Sequence, residues 1–303
     1  MTQYKTIKNL QLLRSINTLL PLKHKLKFLI RKYLISDTNL AIRYYKSEYI
    51  CTTLNDINRS TIVDIILMGA HGQPEHALIN TIKNKLPGNA VFIDVGGNIG
   101  TFLWQFVEKC DQVFVFEPVP RLNAVIKNSI QYNNDKKIVV ISKAVGEEPG
   151  TIQMLDNNNS NIVNSNSAKN VIDVQVTTLD NELQSLPKID FIKIDVEGYE
   201  MHVLNGAKKI LDKHHPLLLV EVHPGFLKNY GKQHSGIIRF LEDKNYHIRY
   251  FSFLGEQRIS RVRRIFSRWS GNKGIEFSTK EAFFEDVAKE PYLSSYHFYC
   301  EPK

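Results

Sequence analysis

The feature that most constrains the fold is a short apolar strand that runs directly into a glycine-rich turn. The strand covers residues 91–95, and the turn follows at residues 96–100 with the sequence GGNIG. A second apolar run, residues 113–116, ends at Glu117. In α/β sheets a glycine turn lets the backbone approach a ligand closely, and an acidic residue about 20 positions later accepts hydrogen bonds from ribose hydroxyls. The sequence therefore predicts a nucleoside site at the carboxyl ends of two neighbouring strands.

The spacing of the glycines narrows the choice of nucleoside. A dinucleotide fingerprint, Gly-x-Gly-x-x-Gly, places a pyrophosphate at a helix N-terminus. Here Asn98 stands where the central glycine would be, and the sequence has no Gly-Lys-Ser/Thr phosphate loop. Asp94, two positions before Gly96, favours a ligand that carries positive charge, such as S-adenosylmethionine (SAM) with its ammonium and sulfonium groups. A strand-to-helix turn that binds no ligand is the alternative, and a nicotinamide-dependent oxidoreductase is a distant third.

Composition places the chain among ordinary globular proteins. Its 303 residues are 43% hydrophobic and 23% charged, enough apolar residues for a sizeable core. No apolar run approaches the roughly 18 residues that cross a bilayer, and the N-terminus lacks the pattern of a signal peptide. The three cysteines, Cys51, Cys110 and Cys300, are scattered and predict neither a disulfide framework nor a zinc cluster. We therefore expect a cytoplasmic protein.

Strand and helix patterns alternate from residue 90 onward. Strands are predicted at 91–95, 113–117, 138–141, 190–195, 217–222, 247–252 and 296–300, and helices at 100–109, 121–133, 199–212 and 233–244. Short apolar strands between amphipathic helices are typical of a mostly parallel sheet covered on both faces. We predict an α/β fold with a doubly wound, mostly parallel seven-stranded sheet. Two further extended segments, 151–155 and 171–178, flank a tract rich in Asn and Ser at 156–167, which we expect to be a loop.

Acidic residues also follow the strand predicted at 190–195. Asp195 and Glu197 lie at its carboxyl end, as Asp94 and Glu117 lie at the ends of two other strands. Ligands of open α/β sheets bind beyond the carboxyl ends of the strands, so these carboxylates should converge on one rim. A helix cap formed by Asp195 is the alternative for that residue.

A histidine emerges from the next predicted strand. His223 follows residues 217–222, and Glu221 lies within that strand. An imidazole with a reference pKa near 6.5 can remove a proton from a substrate hydroxyl. A turn histidine bonded to a backbone carbonyl is an equally weighted alternative, and Glu221 is expected at the end of the strand or paired.

Four blocks together resemble the FkbM family of SAM-dependent methyltransferases. They are FIDVGGNIG at 92–100, VFEP at 115–118, TLD at 178–180 and KIDVEG at 193–198, and the resemblance spans roughly residues 72–252. It implies a class I, Rossmann-like methyltransferase fold, SAM as the cofactor, and transfer of a methyl group to a hydroxyl of a sugar, glycan or other small molecule. The GQPE sequence at 72–75 also fits the family, so Glu75 is a minor candidate for a cofactor contact.

The resemblance also assigns roles to individual residues. The residues that it places around the amino-acid part of SAM are Asp94, Gly96, Asn98 and Gly100. It places Glu117 on the ribose and the backbone around Ala144 near the adenine. Asp195, Glu197 and His223 would face the methyl acceptor. Our hypothesis makes Asp195 or His223 the base and lets Glu197 orient the acceptor; a divalent metal bridging the two carboxylates is secondary, and no metal site is predicted.

The N-terminal region differs in character from the predicted catalytic domain. We divide the chain into a basic, mainly helical extension at 1–70 and a methyltransferase domain at 71–303. Apolar residues at helical spacing between Leu22 and Leu34 alternate with Lys and Arg. We favour a helix packed on the domain, with peripheral contact to an anionic membrane as the alternative.

The positive charge raises one further alternative. The net charge is +8, and a second basic cluster spans residues 258–268. Nucleic acid is the obvious partner for such a chain, but no base-reading module is visible, so we expect none. The competing function is a non-catalytic SAM-fold module that binds RNA or a membrane surface. A pure binder has no need of Glu117, Asp195 and Glu197, which favours the enzyme.

Overall fold

The fold is described from a computed structural model that covers residues 4–7, 39–53, 61–62, 65–66, 75–156, 171–228, 231, 233–253, 275–289 and 295–303. Three predictions fall outside these ranges: the basic helix between Leu22 and Leu34, most of the Asn/Ser-rich loop, and the arginine cluster at 258–268. The described helices include none that is both long and apolar enough to span a bilayer.

Strands dominate the described chain. They are β1 (Lys5–Ile7), β2 (Leu40–Tyr45), β3 (Glu48–Thr52), β4 (Ala90–Val95), β5 (Cys110–Phe116), β6 (Ile138–Ile141), β7 (Ala144–Val145), β8 (Gly150–Leu155), β9 (Val171–Thr177), β10 (Phe191–Ile194), β11 (Leu217–Val222), β12 (Tyr246–Ser252), β13 (Ile275–Phe277) and β14 (Tyr296–Pro302). The α-helices are α1 (His76–Lys85), α2 (Pro120–Asn133), α3 (Leu179–Leu183), α4 (Glu200–Asn205), α5 (Lys208–His214), α6 (Pro224–Leu227), α7 (His234–Asp243) and α8 (Lys280–Lys289).

The central sheet has the order β13-β12-β14-β11-β10-β4-β5-β6. Its strands β11, β10, β4, β5 and β6 pair in parallel, and β14 runs antiparallel between β11 and β12. This confirms the predicted mostly parallel, doubly wound α/β sheet, which the three-residue strand β13 extends to eight strands. Both faces are covered: Phe92 belongs to one apolar core, whereas its neighbours Val91 and Ile93 belong to the other. Burial on two faces explains why these strands are continuous apolar runs.

A β-hairpin packs against the sheet's covering layer, in a region that the sequence predicts to be mainly helical. β2 and β3 pair antiparallel, and β1 adds to β2 in parallel. The hairpin is bonded to α2, since the Cys51 amide donates to Ser129 Oγ at 2.8 Å and Asn133 bonds both the amide and the carbonyl of Tyr49. The described part of the N-terminal region thus joins the same core as α2.

A small sheet of order β7-β9-β8 lies beside the carboxyl end of the central sheet. Its own core consists of Ala144, Met154, Val174 and Val176. The sequence predicts β8 and β9 within one residue of their bounds but misses the two-residue strand β7. This sheet forms one wall of the site described below.

Two predicted helices take another form. The segment at 100–109 forms two short 3₁₀ turns, Leu103–Gln105 and Val107–Lys109, instead of an α-helix. The helix predicted at 199–212 is divided into α4 and α5 near Gly206, whose carbonyl accepts a hydrogen bond from the Asp180 amide. In both places tertiary contacts override local helix propensity.

Candidate active site

The glycine turn after β4 packs backbone to backbone against the end of β10. Gly96 has a φ of +81°, and a Cβ atom built on it would lie 1.9 Å from the carbonyl oxygen of Asp195. Asn98, at φ +50°, adopts the left-handed conformation that asparagine tolerates better than most residues. The turn therefore brings the first predicted motif into contact with the second.

A first cleft opens beside this turn, at the carboxyl ends of β4, β5 and β10. Its lining includes Gly96, Asn98, Phe116, Glu117, Leu122, Lys143, Ala144, Val145, Ile152, Met154, Asp195, Glu197 and Tyr199. The small sheet supplies an apolar wall through Ala144, Ile152 and Met154. Three acidic residues, Glu117, Asp195 and Glu197, also line this cleft. Of the predicted cofactor residues, Gly96, Asn98, Glu117 and Ala144 line this cleft.

Glu117 holds the glycine turn in place. One carboxylate oxygen accepts the Asn98 amide and the other accepts the Val119 amide, each at 2.8 Å. Each oxygen keeps a second lone pair, which is available to a ligand hydroxyl. Burial raises the pKa of Glu117 to about 7, although the two amide bonds oppose that shift.

A second cleft lies on the other side of the glycine turn. It shares Gly96, Asn98 and Asp195 with the first cleft, so the two meet at these three residues. The rest of its polar lining consists of Tyr44, Glu75, Thr101, Gln105, Lys193, Glu221 and His297. The side-chain oxygen of Gln105 and Nδ1 of His297 are buried there without a hydrogen-bond partner among the described residues. The sequence singles out neither of these two side chains.

Asp94 lies beneath the glycine turn and lines neither cleft. Its side chain is wholly buried, and neither oxygen is hydrogen-bonded within the described ranges, although Lys193 Nζ is 3.5 Å from Oδ1. Burial raises the pKa of Asp94 to about 6, while the Lys193 charge opposes the shift. Lys193 itself donates to the Gly96 carbonyl at 2.9 Å and to Asp195 Oδ2 at 3.3 Å. Asp94 therefore acts on the turn through Lys193; Gly100, also predicted to contact cofactor, lines neither cleft.

The three predicted acceptor-facing residues come together at the rim. Asp195, Glu197 and His223 each offer one polar atom, and these atoms lie within 4.8 Å of one another. Glu197 has a φ of +53° and is followed by Gly198 at φ +101°, so two left-handed residues form the turn that carries the Glu197 carboxylate. Such strain in a non-glycine residue is concentrated at functional sites.

Carboxylates surround the His223 ring. Nδ1 is 3.5 Å from Glu200 Oε1, while Nε2 is 3.4 Å from Glu221 Oε1 and 3.6 Å from Glu197 Oε2. Burial alone would lower the pKa of His223, but these carboxylates raise it to about 11. The pKa of Glu197 is raised to about 7, because burial outweighs the opposing His223 charge.

A second imidazole lies behind this group. Glu221 Oε2 is 3.3 Å from His297 Nε2, and the two residues are direct cross-strand partners on β11 and β14. Burial would raise the pKa of Glu221, but His297 and His223 hold it well below its ordinary value. The sequence analysis missed Glu200 and His297. The one signal for Glu200 is its place two residues after the KIDVEG block.

Asp195, Glu197 and His223 are also the described group whose spacing could hold a metal ion. A metal there would require His223 to be neutral, because only an unprotonated ring nitrogen can act as a ligand. The roles that we propose for these residues use the protonated ring and involve no metal.

Comparison with known proteins gives a family match. Residues 94–248, just over half of the chain, match the model of the methyltransferase FkbM domain. "Methyltransferase 1" of Beauveria bassiana is 26% identical over 159 residues, which are 44% of this chain and 63% of that protein. "Hexuronic acid methyltransferase AglP" of Haloferax volcanii is 26% identical over 155 residues, which are 50% of this chain and 63% of that protein. The chain thus spans about 63% of the length of these two curated relatives.

Two of the solved structures that match the chain do so at low identity, with TM-scores below 0.5. A methyltransferase FkbM from Methylobacillus flagellatus has a TM-score of 0.41 and 16% identity, covering 80% of this chain and 56% of that one. An rRNA methylase from Streptococcus thermophilus has a TM-score of 0.44 and 8% identity, covering 76% and 98%. These two similarities carry no argument about activity.

Proposed function

The chain belongs to the FkbM methyltransferase family, and from that premise we propose that it is a SAM-dependent methyltransferase acting on a hydroxyl of a sugar, glycan or related small molecule. The observation that supports this most directly is the meeting of two clefts at Gly96, Asn98 and Asp195, with Glu197 on the rim. The catalytic domain would cover residues 71–303, as the sequence predicts.

The residues of the two clefts fit the parts of SAM. The apolar wall formed by Ala144, Ile152 and Met154 suits an adenine ring, and the remaining lone pairs of Glu117 suit ribose hydroxyls. The second cleft suits a charged amino-acid tail, because the carboxylate of Glu75 and the unpaired oxygen of Gln105 line it. When bound, SAM supplies a methyl group on a positively charged sulfur.

The chain's own residues have two tasks in methyl transfer. The first is to hold an acceptor oxygen in line with the methyl carbon and sulfur, and such positioning supplies much of the rate. The second is to remove the proton of the acceptor hydroxyl, for which Asp195, Glu197 and His223 are the polar groups at the rim. A cleft built only for binding would need no such cluster.

One relative supports the acceptor class that we propose. AglP is named as a methyltransferase of hexuronic acid, which is a sugar. By analogy, a sugar hydroxyl is the acceptor that we test first. The alternative of a non-catalytic module that binds RNA or a membrane rests on basic segments outside the described residues.

Calorimetric titration with SAM, with NADH as the control ligand, tests the cofactor. We expect a dissociation constant on the order of micromolar for SAM, typical of a cofactor site, and no heat with NADH. Glu117→Ala should abolish the binding, and Glu147→Gln, away from both clefts, should leave it unchanged. Folded protein that fails to bind SAM would rule out the proposal.

A screen with radiolabelled SAM then tests the acceptor. The first panel consists of p-nitrophenyl hexosides and hexuronides, with a matched set whose hydroxyls are already methylated. We expect label to enter only compounds with free hydroxyls. Label in the fully methylated set would instead indicate methyl transfer to another atom, such as a carboxylate oxygen.

A further inference from the structure

The His223 ring has a carboxylate facing each of its nitrogens. Glu200, from α4, faces Nδ1, and Glu221, from β11, faces Nε2. Glu200 is wholly buried and accepts the Gly198 amide at 2.8 Å, so its position is fixed by the turn before α4. The separations of 3.4 and 3.5 Å exceed the roughly 2.7–2.9 Å of a strong charged hydrogen bond. The carboxylates thus hold the ring electrostatically, and because Nδ1 is buried, Nε2 is the nitrogen left to donate to a ligand.

Glu221 is itself fixed from its other side. Its second oxygen faces Nε2 of His297, which is 4% exposed and lies between β11 and β12 on β14. Burial would lower the pKa of His297, but the charges of Glu221, Glu75 and Asp195 raise it. The Glu221 carboxylate therefore lies between the rings of His223 and His297. Its negative charge favours the protonated form of both rings.

Glu197 occupies a different environment. Its side chain is 39% exposed, it lines the first cleft, and its contact with a cation is the 3.6 Å approach to His223. Asp195, by contrast, already accepts the buried Lys193 ammonium. Burial, Asp195, Glu221 and Glu200 raise the pKa of Glu197 while His223 lowers it, and the result of about 7 suits a group that takes up a proton near neutral pH.

We propose that Glu200 and Glu221 are positioning residues that keep His223 as a hydrogen-bond donor, and that Glu197 is the catalytic residue that takes the acceptor's proton. The inference rests on the proposed methyltransferase function and reverses the roles that the sequence suggests for Glu197 and His223. In the reaction, the acceptor oxygen forms its bond to the methyl carbon as the carbon–sulfur bond breaks onto sulfur. The hydroxyl proton passes to the Glu197 carboxylate, and His223 donates to the acceptor from Nε2, which lies 3.6 Å from Glu197 Oε2.

Nitrogen-15 NMR of the histidine rings tests the positioning without any acceptor. We expect His223 in the full chain to stay doubly protonated up to about pH 9. In Glu200→Gln and in Glu221→Gln its titration midpoint should fall by at least one pH unit. The matched control is Glu147→Gln, which faces His202 Nδ1 at 3.5 Å and should leave the His223 titration unchanged. A His223 ring that loses its proton below pH 7 in the unaltered protein overturns the inference.

Kinetics on an acceptor from the p-nitrophenyl panel tests the base. Measured at saturating SAM, Glu197→Gln should lower kcat at least a hundredfold and remove the limb near pH 7 from the pH–rate profile. Full activity of Glu197→Gln contradicts the assignment while leaving the methyltransferase proposal intact. Absence of SAM binding by the unaltered protein would instead remove the proposed function itself, so the two failures are distinguishable.

Discussion

The carbonyl oxygen of Asp195 occupies the space in which a side chain on Gly96 would begin. Only 1.9 Å would separate that oxygen from a Cβ atom on Gly96. The turn proposed to hold the cofactor and the residue proposed to face the acceptor are therefore parts of one backbone contact. A substitution in the glycine turn should therefore displace Asp195, and a shift of Asp195 should displace the turn.

Gly96→Ala tests this contact. The substitution forces a side chain into a φ of +81° and against the Asp195 carbonyl, so the turn and β10 must separate. We expect at least a tenfold loss of SAM affinity and a lower melting temperature. Gly88→Ala is the matched control, since nothing lies within 4 Å of its Cβ position. Unchanged SAM affinity in Gly96→Ala would show that the contact does not matter for binding.

Glu117 should make SAM binding depend on pH. Burial raises the pKa of Glu117 to about 7 in the free protein, and only the ionised form accepts bonds freely from ribose hydroxyls. Affinity should therefore increase about tenfold between pH 6 and pH 8, the amount expected for one deprotonation. Calorimetry across this range measures it. In Glu117→Gln the dependence should be lost; a Glu117→Gln variant that retains the full dependence would assign it to another group.

Asp94 should lower the stability of the free protein as the pH rises. Its pKa is raised from 3.8 to about 6, so the stabilising effect of its bound proton is present below about pH 4 and is lost as the pH rises through 6. The loss is on the order of 2–3 kcal/mol. The difference in unfolding free energy between the unaltered protein and Asp94→Asn should therefore shift in favour of the variant from pH 4 to pH 7. Urea unfolding at both pH values checks this, and a constant difference would contradict it.

Lys193 should be among the most sensitive positions for stability. Its ammonium donates hydrogen bonds to the Gly96 carbonyl and to Asp195, and it also lies 3.5 Å from the buried carboxylate of Asp94. Lys193→Met leaves the carboxylates without their counter-charge, which costs about 3–5 kcal/mol. The double variant with Asp94→Asn should recover part of that loss in urea unfolding. Lys188→Met, whose side chain is 40% exposed, is the control and should change little.

Ser129 tests whether the N-terminal hairpin is part of the same folding unit. Its hydroxyl accepts the buried Cys51 amide at 2.8 Å, and Ser129→Ala leaves that amide without its partner. We expect a loss of about 1–3 kcal/mol in the free energy of unfolding. The unfolding transition should remain single, measured by both fluorescence and circular dichroism. Two separate transitions would show that the hairpin folds on its own.

Most of the sheet could be predicted because its strands are continuous apolar runs. The strands at 138–141 and 217–222 have the predicted bounds, and the others differ by a few residues at their ends. The helix predicted at 100–109, directly after the glycine turn, was wrong. Phe102 and Phe106 stack at 5.0 Å and both pack against Phe92 of β4, so contacts with the sheet hold this segment. Local sequence carries no sign of such contacts.

The candidate site was predicted in part. The carboxyl-end rule brings Asp195, Glu197 and His223 together as expected, since it depends only on topology. Glu200 and His297 could not be found, because their roles depend on a helix start and on strand register. His297 meets Glu221 across 76 positions of sequence, a pairing that no local pattern encodes. The basic N-terminal helix and its membrane contact stay predictions.

β14 contributes both to the central sheet and to the candidate site, because it pairs with β11 and carries His297. β14 follows β11 and β12 in the chain, yet it is inserted between them. Until it docks, β11 is an open edge with unpaired backbone groups, and Glu221 on that edge has one imidazole instead of two. A nascent or truncated chain without β14 would thus be exposed to aggregation and would also lack a finished site. Activity would therefore indicate that β14 has docked between β11 and β12.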